Sequence, residues 1–498
     1  MMVCSHSVGH SLTKTKALLV CAWLAAPLWS ITLIFGAQTT QPSRPETAPR
    51  YNTEGVLLLG QGNLSGAREK FRAAIKLRPA FTEAHVNLGT ALLESGDLDG
   101  ALDEFRIAAK LRPQSAKAHL GLATALRHKG DLKGAVREYQ AALTLEPSNP
   151  DARNGLGVTL QQQPDLSGAI RELQQAVKLD PRSPQFHSNL GVALAQAGRR
   201  KDAIGEFSRA LELDDKFCEA YNNLGLAFQE AGNLTEAIDE FNRAARCQPG
   251  NAQIRYNLGL ALEQNKDLGG AIEQFREAAR LDPVFAQVHY NLSRALAKKG
   301  DSAAAAAERG EFESLQRSER NGTARACVNR GVGLAEQGDL VGAVREFQAA
   351  LDANPDYAEA HYNLGRAKQE KGDVKGAIDE FRLALRSNSG YLEAHNNLGV
   401  ALRQHGDWEE AKREFETTLS LSPNFVAGHY NLGMMLAQQG QLDSAVSEFR
   451  AAIRLKPDYT EAHYALGVAL RRQGKLELAE EAFQAAEKLD PRPKSHPD

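Results

Sequence analysis

Leucine and alanine recur along most of this chain at three- and four-residue spacing, with charged and amide side chains between them. That spacing is the period of an amphipathic helix. The helical stretches come in pairs with fixed punctuation. A glycine such as Gly96, Gly130 or Gly372 closes the first stretch, because glycine takes the left-handed cap conformation at little cost. An Asp or Asn often follows, as Asp97 or Asn233, and is placed to cap the second stretch. A proline such as Pro113, Pro283 or Pro457 ends the second stretch and sets the turn into the next pair. The period is 34 residues, as EAHVNLGTALLESGDLDGALDEFRIAAKLRP from Glu83 and EAHYNLGRAKQEKGDVKGAIDEFRLALRSNS from Glu359 show. No pair buries its apolar side alone, so the stack is the folding unit.

Thirteen units can be placed: eight over residues 48–319 and five over 324–493, with 320–323 between them. Counted from the first residue of each unit, position 20 is alanine in all thirteen, from Ala67 to Ala479. Position 8 is glycine in eleven, including Gly89, Gly225, Gly365 and Gly467. Position 24 is phenylalanine in ten, including Phe105, Phe241 and Phe449, and position 32 is proline in ten. Small residues at 8 and 20 let the two helices cross closely, and the phenylalanine fills the space beside them. This pattern resembles the tetratricopeptide repeat. The resemblance implies an all-α, right-handed α-solenoid of about 13 helix-turn-helix repeats. It also implies a concave face, lined by the first helix of each unit, that binds proteins or peptides.

The eighth unit departs from the pattern, with Ser293 at position 8, Arg309 at 24 and Phe312 at 27. Its second half still has helical character to Arg320, and Asn321-Gly322 is expected to break it. The expectation is a longer helix and a seam at 320–323 between two blocks of repeats. A drifted repeat in a continuous spiral is the alternative. Only residues 494–498 follow the last unit, whose Glu477, Glu480, Glu481, Glu487 and Lys488 are expected to make its second helix a cap.

The amino terminus has a different texture. Lys14 and Lys16 precede an apolar run from Ala17 to Ala37, broken by Pro27, Ser30 and Thr32. Positive then apolar is the order of an export signal. The run is near the ~20 residues that span a bilayer, and Phe35 makes a poor small-residue cleavage site before Ala37. A cleaved signal peptide and a retained signal anchor over residues 1–37 both fit. Either places the rest across the cytoplasmic or ER membrane, secreted, periplasmic or membrane-anchored. Residues 38–47, with Pro42 and Pro45, form a linker.

Composition narrows the functional class. Lysine and arginine number 59 against 62 acids, a formal net charge of −3, so the chain lacks the basic excess of a nucleic-acid binder. Five cysteines in 498 residues exclude a disulfide framework. Cys218 and Cys247 occupy positions 1 and 30 of one unit, which an antiparallel helix pair brings together. A disulfide there is conceivable in an oxidising compartment, and two buried thiols is the plainer expectation. Cys327 has no partner by spacing. No phosphate loop, dinucleotide fingerprint, zinc-protease motif or nucleophile elbow occurs, so no catalytic residue and no cofactor is expected. Four Asn-x-Ser/Thr sequons, at Asn63, Asn233, Asn291 and Asn321, fall mostly at positions the repeat fills anyway.

Two ladders stand out. Eight histidines occupy position 4: His85, His119, His187, His289, His361, His395, His429 and His463. A metal needs ligands at about 2.0–2.1 Å, and equivalent sites on stacked helices are about 8–10 Å apart, so this ladder is assigned to packing and not to metal. Nine asparagines occupy position 6: Asn87, Asn189, Asn223, Asn257, Asn291, Asn329, Asn363, Asn397 and Asn431. By the resemblance they face the concave groove. An amide both donates and accepts, so it can hold a peptide backbone without reading side chains. The competing expectation is that these amides bond the neighbouring helix. Relatives that clamp a carboxy-terminal carboxylate carry lysine at position 5, which in the units compared is Val86, Leu120, Asn222, Tyr256, Tyr290, Tyr362, Asn396, Tyr430 or Tyr464 and never lysine.

The sequence thus points to a non-enzymatic scaffold binding extended protein or peptide ligands, with membrane contact only through its amino-terminal segment and no nucleic-acid partner. The alternatives are a pentatricopeptide-like nucleic-acid reader and a non-catalytic subunit of a glycosyltransferase or envelope-assembly complex.

Overall fold

The computed structural model describes residues 47–490. The apolar run, all but the last residue of the linker and the tail after the last repeat lie outside the described residues. Twenty-five α-helices and no strand occur among the described residues. Apart from one, each helix is 13 or 14 residues long and corresponds to the first (A) or second (B) helix of a repeat. The chain divides after Pro283 into two compact units, in the turn that ends repeat 7. Within each unit an A helix packs on its own B helix, and that B helix packs on the following A helix.

The packing follows from position 8 and position 24. A methyl group added at Gly365 would lie 2.7 Å from Cε1 of Phe381, so the ring occupies the place of the missing side chain. Phe105 does the same to Gly89 of its own repeat, and it also covers Gly121 at position 6 of the next repeat. The ring therefore joins repeats as well as filling one. Repeat 8 has Arg309 at position 24, no ring to admit, and correspondingly Ser293 at position 8. The punctuation also holds. Gly372 closes an A helix at φ 84°, and the Asp97 carboxylate accepts from the Gly100 backbone N–H at 3.0 Å. Asn233 makes no such cap bond.

The exception in length is the helix Ser302–Glu336, of 35 residues. It combines the B helix of repeat 8 with the A helix of repeat 9. A longer helix was expected here, but the break at Asn321-Gly322 is absent: the helix runs through both residues. Glycine lowers helix stability by only about 1 kcal/mol, which intact hydrogen bonds on either side override. Two segments of one helix cannot pack side by side, so the usual B-to-A interface between repeats is missing here. No residue from 302 to 323 is buried. Ala305 is the only position-20 alanine outside the buried core.

The boundaries of the blocks are also written in charge. Position 7 is leucine in eleven repeats, as Leu88 and Leu364, each 2% exposed. It is Glu54 in repeat 1 and Arg330 in repeat 9. Position 28 is apolar except for Glu313 in repeat 8 and Glu487 in repeat 13. These are the faces that would take a further helix. Glu54 instead bonds Arg50 and Lys70, and Arg330 bonds Glu346 at 2.8 Å. Repeat 9 thus begins as repeat 1 does, and repeat 8 ends as repeat 13 does.

A helical stretch that packs on one side only and has no buried residue of its own has less tertiary support and opens locally at lower cost. Limited proteolysis is expected to make its first cut within the array between Glu308 and Thr323. First cuts within 184–285 would contradict this.

Candidate functional site

The position-4 histidines do more than pack. Nδ1 of His85, His119, His187, His289, His361, His395 and His429 lies 2.6–2.7 Å from the carboxylate of a glutamate nineteen residues on, at position 23. Nε2 of His85 lies 2.9 Å from the Pro79 carbonyl, in the turn that closes the preceding repeat. The same contact recurs at His361 with Pro355 and at His395 with Ser389. Each such ring therefore ties its own B helix to the turn before it, whereas His463, with Ala482 at position 23, bonds only the Pro457 carbonyl at 2.9 Å. In repeats 4 and 6, where histidine is absent, the chemistry is kept in whole or in part. Arg153 bonds Glu172 at 2.8 Å and the Pro147 carbonyl at 2.9 Å, and the Tyr221 hydroxyl bonds the Asp215 carbonyl at 3.0 Å. The glutamate partners were missed in the sequence, although their constant 19-residue offset was visible there.

The asparagines fall into three groups. Asn87, Asn189, Asn257 and Asn431 each donate from Nδ2 to an asparagine at position 5 of the preceding repeat, at 2.8–3.0 Å. Asn397 donates to the Tyr362 hydroxyl in the same manner, at 3.2 Å. Asn363 and Asn291 turn back on their own helices, to the carbonyls of Glu359 and Gln287. Asn223 and Asn329 make no side-chain hydrogen bond among the described residues; the first is half-buried and the second exposed. The bond to the neighbouring helix, which was the competing expectation, thus accounts for five of the nine.

Two further rows share the A helices. Gln161 donates to Gln196, Gln229 to Gln264 and Gln369 to Gln404, each 35 residues apart and at 2.9–3.1 Å. Tyrosines at position 5 stack between rings: Tyr362 lies 6.0 Å from Phe381 and 4.9 Å from Tyr391, and Tyr430 lies 5.2 Å from Tyr459. Burial, with Tyr430 and Glu461 nearby, pushes the Tyr459 phenol up to about 12, so it remains a neutral donor. The Arg366 guanidinium lies 5.8 Å from the centre of the Tyr362 ring. Such a face can hydrogen-bond and stack. No group of three or more His, Cys, Asp or Glu among the described residues is placed to hold a metal ion.

Cys218 and Cys247 form a disulfide, with Cα atoms 5.6 Å apart, in place of the two thiols expected. The antiparallel helix pair of repeat 6 brings positions 1 and 30 to bridging distance. Cys327 is a free, buried thiol. No helix among the described residues is long and apolar enough to cross a membrane.

A model of the tetratricopeptide repeat matches the chain in nine stretches, several of them overlapping, from residues 52–116 to 437–493. The chain belongs to the tetratricopeptide repeat family. No curated protein matches this tetratricopeptide array. Solved structures similar to it include MamA from Desulfovibrio magneticus RS-1, at 23% identity over 34% of this chain and 96% of that one, with a TM-score of 0.33. PilF of Pseudomonas aeruginosa is 24% identical over 41% of this chain and 92% of that one, with a TM-score of 0.38. A tetratricopeptide protein of Parabacteroides merdae is 15% identical over 50% of this chain and 98% of that one, with a TM-score of 0.40. Repeats of this family are generally non-catalytic protein-interaction scaffolds, and no enzyme family is matched.

Proposed function

We propose that the protein is a non-enzymatic scaffold, exported or membrane-tethered, that holds extended peptide segments along the A helices of its repeats. Each unit is taken as a stretch of right-handed superhelix with those helices on its inner side. The observation that carries this proposal is the set of amide rows on the A helices. An asparagine that gives one N–H to its neighbour keeps a second N–H and carbonyl lone pairs. Rows spaced by about 10 Å would meet an extended chain every three residues or so. The bonds between repeats set the orientation of each amide before a ligand arrives, which lowers the cost of ordering on binding. Export is supported by the Cys218–Cys247 disulfide, which belongs to oxidising compartments.

The test separates binding from folding. The double variant Asn223→Ala/Asn329→Ala removes the two amides that bond nothing else. It should leave melting within about 0.5 kcal/mol of the parent and weaken peptide capture. Each lost backbone bond is worth roughly 0.5–1.5 kcal/mol, a factor of about 2–10 in affinity. Asn257→Ala/Asn431→Ala should reduce both stability and capture. Binding to a displayed library of extended peptides is the measurement. Full capture by both double variants would show that the ligand uses another face.

A further inference from the structure

We propose that the edge of repeats 1 and 2 formed by the carboxyl ends of their B helices rests on an anionic bilayer surface. Position 30 ends each B helix. In repeat 1 it is Leu77, 54% exposed, and in repeat 2 it is Leu111, 41% exposed. Each leucine is flanked by cations: Lys76 and Arg78 in one repeat, Lys110 and Arg112 in the other, all exposed. Arg112 pairs with exposed Glu83, and Arg78 lies 5.2 Å from the centre of the Phe81 ring; neither contact removes the charge from the surface.

The same basic-flanked leucine recurs only at Arg454-Leu455-Lys456 of repeat 12, far along the chain from the amino-terminal segment. At the same edge Leu145 is followed by Glu146, Leu179 by Asp180, and Leu213 by Asp214 and Asp215. Basic residues around exposed apolar side chains are the composition that binds anionic lipid headgroups. The acidic edge of repeats 3 to 5 would be repelled.

The second observation is where the chain enters. The disulfide of repeat 6 shows that positions 1 and 30 of a repeat are neighbours, with Cα atoms 5.6 Å apart. In repeat 1, position 1 is Ala48, packed in a small cluster with Ala74 and Ala84. The first helix therefore starts beside Leu77, at the same edge. The linker of residues 38–47 leads from there back to the apolar run at residues 17–37. Ten extended residues reach at most about 35 Å. A bilayer that held the apolar run would lie within reach of this edge, and the contact becomes intramolecular, so weak individual contacts suffice. The inference rests on the tethered form of the proposed function.

The test uses the full chain reconstituted into vesicles, with Trp23, Trp29 and Trp408 replaced by phenylalanine and Leu77→Trp as the only indole. Lipids brominated near the headgroup quench an indole that touches them. Quenching by roughly twofold is expected in vesicles rich in phosphatidylglycerol, and none in pure phosphatidylcholine. The variant K76E/R78E/K110E/R112E should abolish the quenching with its helical signal unchanged. Leu145→Trp in place of Leu77→Trp should show none. Equal quenching in both lipids, or none in either while the chain remains vesicle-bound, would overturn the edge contact and leave the tether standing. The second of these outcomes is also the one expected if the edge binds an acidic protein. A chain that associates with neither vesicle would overturn both.

Discussion

Replacing His361 and His395 together by alanine should lower the stability of the second unit by about 3–6 kcal/mol. Each ring makes a bond to a carboxylate and a bond to a turn carbonyl, and hydrogen bonds to charged groups are worth about 1.5–3 kcal/mol apiece. His361 is buried, so alanine also leaves a hole between its helix and Glu380. Urea unfolding followed by circular dichroism is the measurement, and an unchanged midpoint would contradict the assignment. A conservative variant sharpens the test. His361→Arg should retain most of the stability, because Arg153 fills the same position and makes the same two contacts in repeat 4.

The acid limb tests the partner. Burial pushes the Glu380 carboxyl up, but hydrogen bonds from His361 and Lys368, with their charges, outweigh it and hold the carboxyl below its ordinary value of 4.5. A carboxyl depressed in the folded state contributes stability that is present above 4.5 and disappears as pH falls through the folded value. Glu380→Gln should flatten this part of the pH profile.

The second large effect concerns the long helix. Asn321→Pro removes one backbone hydrogen bond and sets the ring against the carbonyl of Arg317, at a cost of about 3 kcal/mol. Since none of residues 302–323 is itself buried, that cost falls on local opening. Cleavage by trypsin at Arg317 and Arg320 should accelerate on the order of 100-fold. Had the helix ended at Asn321-Gly322, proline there would be harmless, and an unchanged cleavage rate would restore the break.

The repeats were legible because their residues act within 34 positions and recur in phase. Gly365 and Phe381 are a packing pair that can be counted in the sequence without coordinates. The status of the asparagines was not legible. Position 6 alone does not say whether an amide turns to the next helix, as Asn257 does, or back on its own, as Asn363 does. For these two the residue 35 positions earlier differs: Asn222 accepts in one case, while at Asn363 the equivalent residue is Val328, which cannot. The glutamates of the histidine ladder were hidden for a different reason. Acids are common on helix surfaces, so their offset from histidine carried no weight until the distances were known. Asn321-Gly322 misled because local preference for a break was weighed without the hydrogen bonds of the long helix that runs through it.

That long helix has a consequence for how the chain tolerates insertions. A turn absorbs an added residue by changing its own path. A helix cannot, because every residue adds about 100° of rotation and 1.5 Å of rise. One residue gained or lost between 310 and 322 would therefore swing repeat 8 around repeat 9 like a screw turned by a quarter, and redirect whatever it carries. Seven residues would come within about 20° of the original heading while moving it by about 10 Å. The join between these repeats is thus a keyed shaft, sensitive to the number of its residues and, so long as each continues the helix, far less to their identity.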